Sequence, residues 1–366
     1  MEDHELVDER ALSRRKLLER GVAAGVGLAA APAASGYAAR EAQAAEEKSV
    51  TLTFVSFGGA YQDAQTKGWV EPFMKANPNI KIVQDQPTDY AKIKAQAEAG
   101  NVTWDVVDVG NDFGLARNKD ILTPLDKKVL KTAYTQALPG VIQSRWRVAD
   151  IIYGVVMAYR TDKFKRPPAG WKDFFDTKTF PGKRGLWKFV SGGLLEFALV
   201  ADGVPQKKLY PLDLNRAFKK LDTIKSDIVW WDTGAQSAQL LSDGEVTIGH
   251  SWNGRIYDIQ QGGAPVKIQW NQAFQTQDFL VIPKGVKHKA EALKFVQYAT
   301  SCAHNAAVSF SIAYAPPYKC AVSHVDPKKK KDLPTTYQKQ AMYFNDRWWD
   351  KNFAEADKRF QDWLQK

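Results

Sequence analysis

Two places in the chain combine residue types that could grip a small charged molecule. The first is Ser251-Trp252-Asn253-Gly254, a polar and aromatic turn that follows a short apolar run through Val246 and Ile248. The second is Asp278, a lone carboxylate just ahead of Phe279-Leu280-Val281-Ile282. An aromatic face attracts an ammonium group by about 0.5–2 kcal/mol. A carboxylate adds a charge-assisted hydrogen bond. Together Trp252, Asn253 and Asp278 suit a small cationic amine. Similar chemistry recurs beside other glycine-rich turns: Phe57 and Tyr61 around Gly58-Gly59, Asn111 and Asp112 after Gly110, Trp187 ahead of Ser191-Gly192-Gly193, and Trp231 ahead of Asp232-Thr233-Gly234. Each has a plainer reading as well. Asp278 could cap a turn, and Trp231 or Trp252 could be core. No Gly-x-x-x-x-Gly-Lys or Gly-x-Gly-x-x-Gly follows the Gly58-Gly59 turn, which argues against a phosphate cradle.

The elements that would position these residues can be read from periodicity. Ser49–Phe57 alternates and is rich in β-branched residues, so it reads as a strand. A helical spacing runs from Gln62 to Ala76 and stops at Asn77-Pro78. A second strand at 80–83, a helix from Asp89 to Ala99 with Gly100 as its cap, and a third strand at 104–109 complete a parallel α/β unit. In such sheets ligands bind at the carboxyl ends of the strands, so the turns at Phe57–Tyr61 and Gly110–Asp112 should share one crevice. The apolar strand 150–160 leaves this unit for a second one, with strands at 184–190, 228–231, 246–248 and 266–270 and helices between them. The strand 279–282 brings the chain back. Residues 333–366 read as a tryptophan-rich helical segment packing on the second unit.

An enzyme would need a catalytic group, and none stands out. The five histidines are scattered, without H-E-x-x-H, and no Gly-x-Ser-x-Gly elbow occurs. His250 reads as a polar residue with satisfied hydrogen bonds rather than a general base. No metal-ligand spacing and no cofactor motif is present, so neither a metal nor a cofactor is expected. Cys302 and Cys320 could pair or remain two buried thiols. The net charge of +10 raises nucleic acid as a partner, but the densest basic run, Lys328–Lys331, is flanked by Pro327 and Asp332 and reads as a solvated loop. No nucleic-acid partner is expected.

The first 44 residues read as a targeting segment. Ser13-Arg14-Arg15-Lys16-Leu17-Leu18 resembles the twin-arginine export motif, a run of small apolar residues follows, and Ala42-Gln43-Ala44 offers a cleavage site before Ala45. The expected location is therefore periplasmic.

Residues 45–366 resemble the extracytoplasmic solute-binding proteins of ABC importers, in the spermidine/putrescine branch. The resemblance is carried by Phe54–Tyr61, Trp104-Asp105-Val106-Val107, Trp252-Asn253-Gly254, Asp278 with Leu280–Pro283, and the helix 289–298. It implies a non-enzymatic, monomeric α/β protein with the type II periplasmic-binding-protein fold, two lobes joined by crossing hinge strands, delivering a small amine to an inner-membrane ABC permease. Lobe 1 would comprise residues 45–157 and 278–320, and lobe 2 residues 158–277 and 321–366. Trp252 matches the family tryptophan that stacks on the polyamine chain, and Asp278 the aspartate that holds a terminal amine. Phe57 falls at an aromatic wall position, with Tyr61 near a second. The chain departs from the branch at Val190–Gly193, where polyamine binders place acids, and at Asp112, where they have a tyrosine. Ser191 and the amides of Gly192-Gly193 could instead receive a carboxylate. An amino-acid-like, opine-like or anionic solute is the first alternative, and an enzyme on the same scaffold the second.

Overall fold

A computed structural model describes residues 49–366; the stretch read as a twin-arginine signal and its expected cleavage point lie outside the described residues. Eight strands are present: β1 (Val50–Val55), β2 (Ile80–Asp85), β3 (Val106–Val109), β4 (Val148–Arg160), β5 (Arg184–Trp187), β6 (Ile228–Trp231), β7 (Ile248–Trp252) and β8 (Val266–Val281). They form one sheet in the order β2-β1-β3-β8-β4-β7-β5-β6. β1 is parallel to β2 and β3, and β5 is parallel to β6 and β7. These two parallel sets are joined by β4 and β8, which pair antiparallel with each other and run through both halves.

Alternation along the strands explains why each half is a three-layer sandwich, because successive side chains point to opposite faces. Leu52, Phe54 and Val106 face one core of the first half with Trp69, Phe73 and Phe295, while Val55, Val107 and Val109 face another with Trp104 and Phe113. In the second half Val155, Met157 and Ile248 pack with Trp171, Phe197 and Phe360, and Val156 and Ala158 pack with Trp231 and Leu241. Burying a side chain of this size is worth about 1.5–3 kcal/mol. Both halves therefore have their own apolar stabilisation, and the link between them is thin.

The segment 271–278 departs from the sequence expectation. Its run of glutamines and threonine reads as a break between strands at 266–270 and 279–282, yet β8 is continuous for 16 residues. Pairing with β4 holds it along most of its length, with register shifts that absorb the irregularity. Its polar side chains find partners in flanking loops: Gln277 Nε2 donates to Gly140 O (2.9 Å), and Gln272 Oε1 accepts from Trp171 N (3.2 Å). Backbone pairing thus overrides the polar composition.

The chain crosses between halves a third time. Ala321, Val325 and Leu333 pack in the first core, and Met342, Trp349, Phe360 and Trp363 in the second. By packing, this crossing falls between Leu333 and Met342. The segment 333–366 is not one helix. Short 3-10 turns extend to Gln340, and the α-helix is Asp346–Gln365, opened by the Asn345 side chain accepting from Trp348 N (3.0 Å). Cys302 and Cys320 form a disulfide.

Candidate functional site

A cavity of about 410 Å³ opens between the halves, at the carboxyl ends of β1, β3, β5 and β7. Local geometry explains how these ends deliver side chains. After β1, Gly58 takes a positive φ of 69° and turns the chain directly into the helix Gly59–Gln65, which carries Tyr61. The helix Tyr90–Ala99 starts at the cavity because Asp89 caps it, accepting from Ala91 N (2.8 Å) and Lys92 N (3.1 Å). After β3, Gly110 leaves little room for a side chain. A Cβ there would lie 3.1 Å from Tyr90 Oη and 3.2 Å from Asp112 Oδ1, with Asp278 Oδ1 at 3.9 Å. Three oxygens thus converge on one backbone position.

Eight of the residues singled out in the sequence line the cavity: Phe57, Tyr61, Asn111, Asp112, Trp187, Ser191, Trp252 and Asp278. Trp231 does not. It is fully buried behind the wall, parallel to Trp187 at 5.7 Å and edge-on to Trp252 at 5.5 Å, so it holds both rings in place. Asn253 is also withdrawn. Its Oδ1 accepts from Gly154 N (2.8 Å) and its Nδ2 donates to Ala313 O (2.6 Å), tying β4 to a loop of the first half. His250 lies behind the same indoles, where burial lowers its pKa to about 3; its Nδ1 accepts from Trp187 N (3.4 Å).

Sequence reasoning missed several wall residues: Tyr90, Tyr153, Phe189, Arg255, Tyr314 and Phe344. Arg255 matters most. It sits on the helix Asn253–Gln261, is 3% exposed, and forms no ion pair among the described residues. Its Nη2 donates to Gly58 O (2.8 Å) across the cleft, and its Nε has no partner. It adjoins the Tyr314 hydroxyl, which burial keeps protonated despite the opposing pull of Arg255.

The cavity wall also carries an acidic group. Asp278 is 6% exposed and has no cationic partner among the described residues. Burial and then the charges of Asp108 and Asp150 hold its carboxyl well above the usual carboxylate range, against a hydrogen bond from Tyr153. Asp108 and Asp150 are fully buried beneath Tyr61, whose hydroxyl donates to Asp150 Oδ2 (3.0 Å). Ser56 Oγ (3.2 Å) and Gln65 Nε2 (2.6 Å) donate to Asp108 Oδ2. Burial raises the Asp108 pKa to about 7, and Asp150 is also raised well above normal. Two carboxyl groups so placed cannot both stay ionised cheaply.

The cavity is thus an aromatic chamber whose wall holds a buried cation, Arg255, and a buried carboxyl group, Asp278. Two tyrosines of the wall, Tyr314 beside Arg255 and Tyr153 beside Asp278, have ring centroids 5.8 Å apart. No group of His, Cys, Asp and Glu among the described residues is arranged to hold a metal.

Two parallel sheet halves, two long antiparallel crossing strands and a cavity at the strand ends define the type II periplasmic-binding-protein fold. The chain belongs to the bacterial extracellular solute-binding protein family, whose model matches residues 68–335. It is 34% identical to the γ-aminobutyric acid-binding protein of Pseudomonas aeruginosa over 88% of this chain and 93% of that protein. The structure of the Atu4243-GABA receptor is 42% identical, covers 86% of this chain and 97% of its own, and superposes with a TM-score of 0.78. The protein AgtB from Agrobacterium tumefaciens, solved with agropinic acid, is 32% identical over 87% and 99%, with a TM-score of 0.79. The spermidine/putrescine resemblance is weaker: the binding protein of Salmonella typhimurium is 23% identical over 53% of this chain and 58% of its own length. The family is that of the sequence resemblance, and the γ-aminobutyrate and agropinic acid binders are more similar to the chain than the spermidine/putrescine branch. The protein is a solute-binding protein and not an enzyme.

Proposed function

We propose that the protein is the periplasmic component of an ABC importer and binds a small zwitterion whose ammonium and carboxylate are separated by a short chain, with γ-aminobutyrate as the leading candidate. One observation carries this reading: Arg255, a cation, and Asp278, a carboxyl group, are buried in the same cavity, and neither has an ion-pair partner among the described residues. A buried cation without a counter-ion is costly, and burial keeps the Asp278 carboxyl protonated until an ammonium group can pair with it. A bound zwitterion would supply both counter-ions. The γ-aminobutyrate-binding relatives favour an ω-amino acid over an α-amino acid. A polyamine has no carboxylate for Arg255 and would meet a like charge there. The names of the relatives that bind γ-aminobutyrate and agropinic acid support the same class. The volume of about 410 Å³ supports a second reading, an opine-like conjugate that fills more of the chamber.

Calorimetry with γ-aminobutyrate, 5-aminovalerate, an opine, putrescine and spermidine tests this. The ω-amino acid or the opine should bind in the micromolar range or tighter, and Arg255→Gln should abolish that binding. If putrescine or spermidine binds more tightly than every carboxylate-bearing solute, the zwitterion reading is wrong.

A further inference from the structure

The last helix, Asp346–Gln365, belongs to the second half by its packing. Trp349, Phe360 and Trp363 are buried there, and Trp349 Nε1 donates to Glu196 Oε1 (2.8 Å), which also accepts from Tyr210 Oη (2.6 Å). Its first turn nevertheless reaches residues of the first half. Asp346 Oδ1 accepts from Asn111 Nδ2 (2.9 Å), and Asp346 Oδ2 lies 3.9 Å from Arg147 Nη2. Asp350 ion-pairs with Arg117, whose other guanidinium nitrogen donates to the carbonyl of Asp112. Arg147 is fully buried, and its Nη1 donates to the carbonyls of Asn111 and Phe113 (2.6 Å each). The loop gripped in this way is the one that lines the solute cavity through Gly110, Asn111 and Asp112. A small cleft lined by Asn111, Ser191, Asp346 and Asp350 marks the seam.

We infer that the first turn of this helix is a closing latch: Asp346 and Asp350, fixed to the second half, hold Asn111, Arg117 and Arg147 of the first, and set how long a solute stays enclosed. The inference rests on the cavity being the solute site. Parting the halves would leave Arg147 buried without its Asp346 contact and Asn111 without its acceptor, so the latch favours the closed state. It acts on escape rather than encounter, since it forms only after the halves meet.

The test uses the Asp346→Asn/Asp350→Asn variant, with spectroscopic labels at the exposed positions Lys67→Cys and Lys207→Cys, one on each half. With γ-aminobutyrate, the unmodified latch should give one short inter-label distance. The variant should show a larger open population and dissociation about tenfold faster at an unchanged association rate. High salt should move the unmodified latch the same way. The charge swap Arg117→Asp with Asp350→Arg should recover slow dissociation better than either single change. Equal dissociation rates with and without the two aspartates would overturn the latch, as would a swap no better than its single changes. If the double variant does not fold, the half-exposed Asp350→Asn change alone serves. If γ-aminobutyrate fails to bind at all, the solute assignment falls, and the distance distribution at low and high salt still decides the latch: no salt dependence overturns it.

Discussion

At the scale of single residues, the site is a problem of buried charge. Asp278 must ionise to receive an ammonium group, yet burial and the neighbouring Asp108 and Asp150 hold its carboxyl protonated above the normal range. Binding an amine should therefore release a proton, and affinity for γ-aminobutyrate should rise with pH above the ordinary carboxylate range. Asp278→Asn should remove this dependence and weaken binding by about 2–5 kcal/mol, the usual loss when one partner of a buried charge pair is truncated. Calorimetry in buffers of different ionisation enthalpy measures both. Stability should show the opposite slope. The Asp108 pKa is near 7 in the folded protein and near 3.8 when unfolded, so the folded state holds the extra proton between those values. Its contribution is fully present below about pH 4 and is lost as pH rises through 7. In Asp108→Asn the fall in melting temperature between pH 5 and pH 8 should shrink by a few degrees. An unchanged slope would show that the proton is not held there.

At the scale of elements, the cavity exists because strand ends and helix starts are fixed by packing behind them. The helix Leu194–Ala201 is buried along its whole length and carries the Ser191–Gly193 turn to the cavity. Phe197 anchors it, stacked on Trp171 with centroids 3.6 Å apart and also touching Phe274 and His250. Phe197→Ala should cost about 3–5 kcal/mol, measured by urea unfolding. It should also weaken solute binding, since Trp187 and Ser191 lose their backing. These elements were largely legible in the sequence: β1 to β3 and their helices follow from alternation, helical spacing and the Asp89 and Gly100 caps. Trp252 and Asp278 stood out because an indole in a polar Gly-Asn turn and a lone carboxylate ahead of an apolar run suit an amine, although each also had a plain structural reading. Arg255 did not, because arginine three residues into a helix usually points to solvent. Only the fold shows that this helix start faces the opposite half. Tyr153 and Tyr314 were hidden inside an apolar strand and a loop, where tyrosine reads as filler. The polar run 271–278 was misread because only its pairing with β4 makes it a strand.

At the scale of the whole molecule, two well-packed halves meet along a narrow connection of three crossings. The disulfide Cys302–Cys320 closes a loop in the first half that contains Tyr314 of the cavity wall and Ala313, the acceptor for Asn253 of the second half. Loop-closure entropy for a separation of 18 residues is worth about 3 kcal/mol. Replacing both cysteines with serine should lower stability by about that amount and also reduce solute affinity. Denaturant unfolding and calorimetry on the same variant separate the two effects. A stability loss with unchanged affinity would show that the loop keeps its shape without the bridge.

The hydrogen bond from Arg255 to the carbonyl of Gly58 joins the halves through the residue that would read the carboxylate. Occupancy and enclosure are then distinct properties of a solute. A molecule offering only an ammonium group can sit at Asp278 and leave Arg255 without a counter-ion. It would occupy the protein without favouring closure, and so compete with the natural cargo as an antagonist of uptake rather than as a substrate.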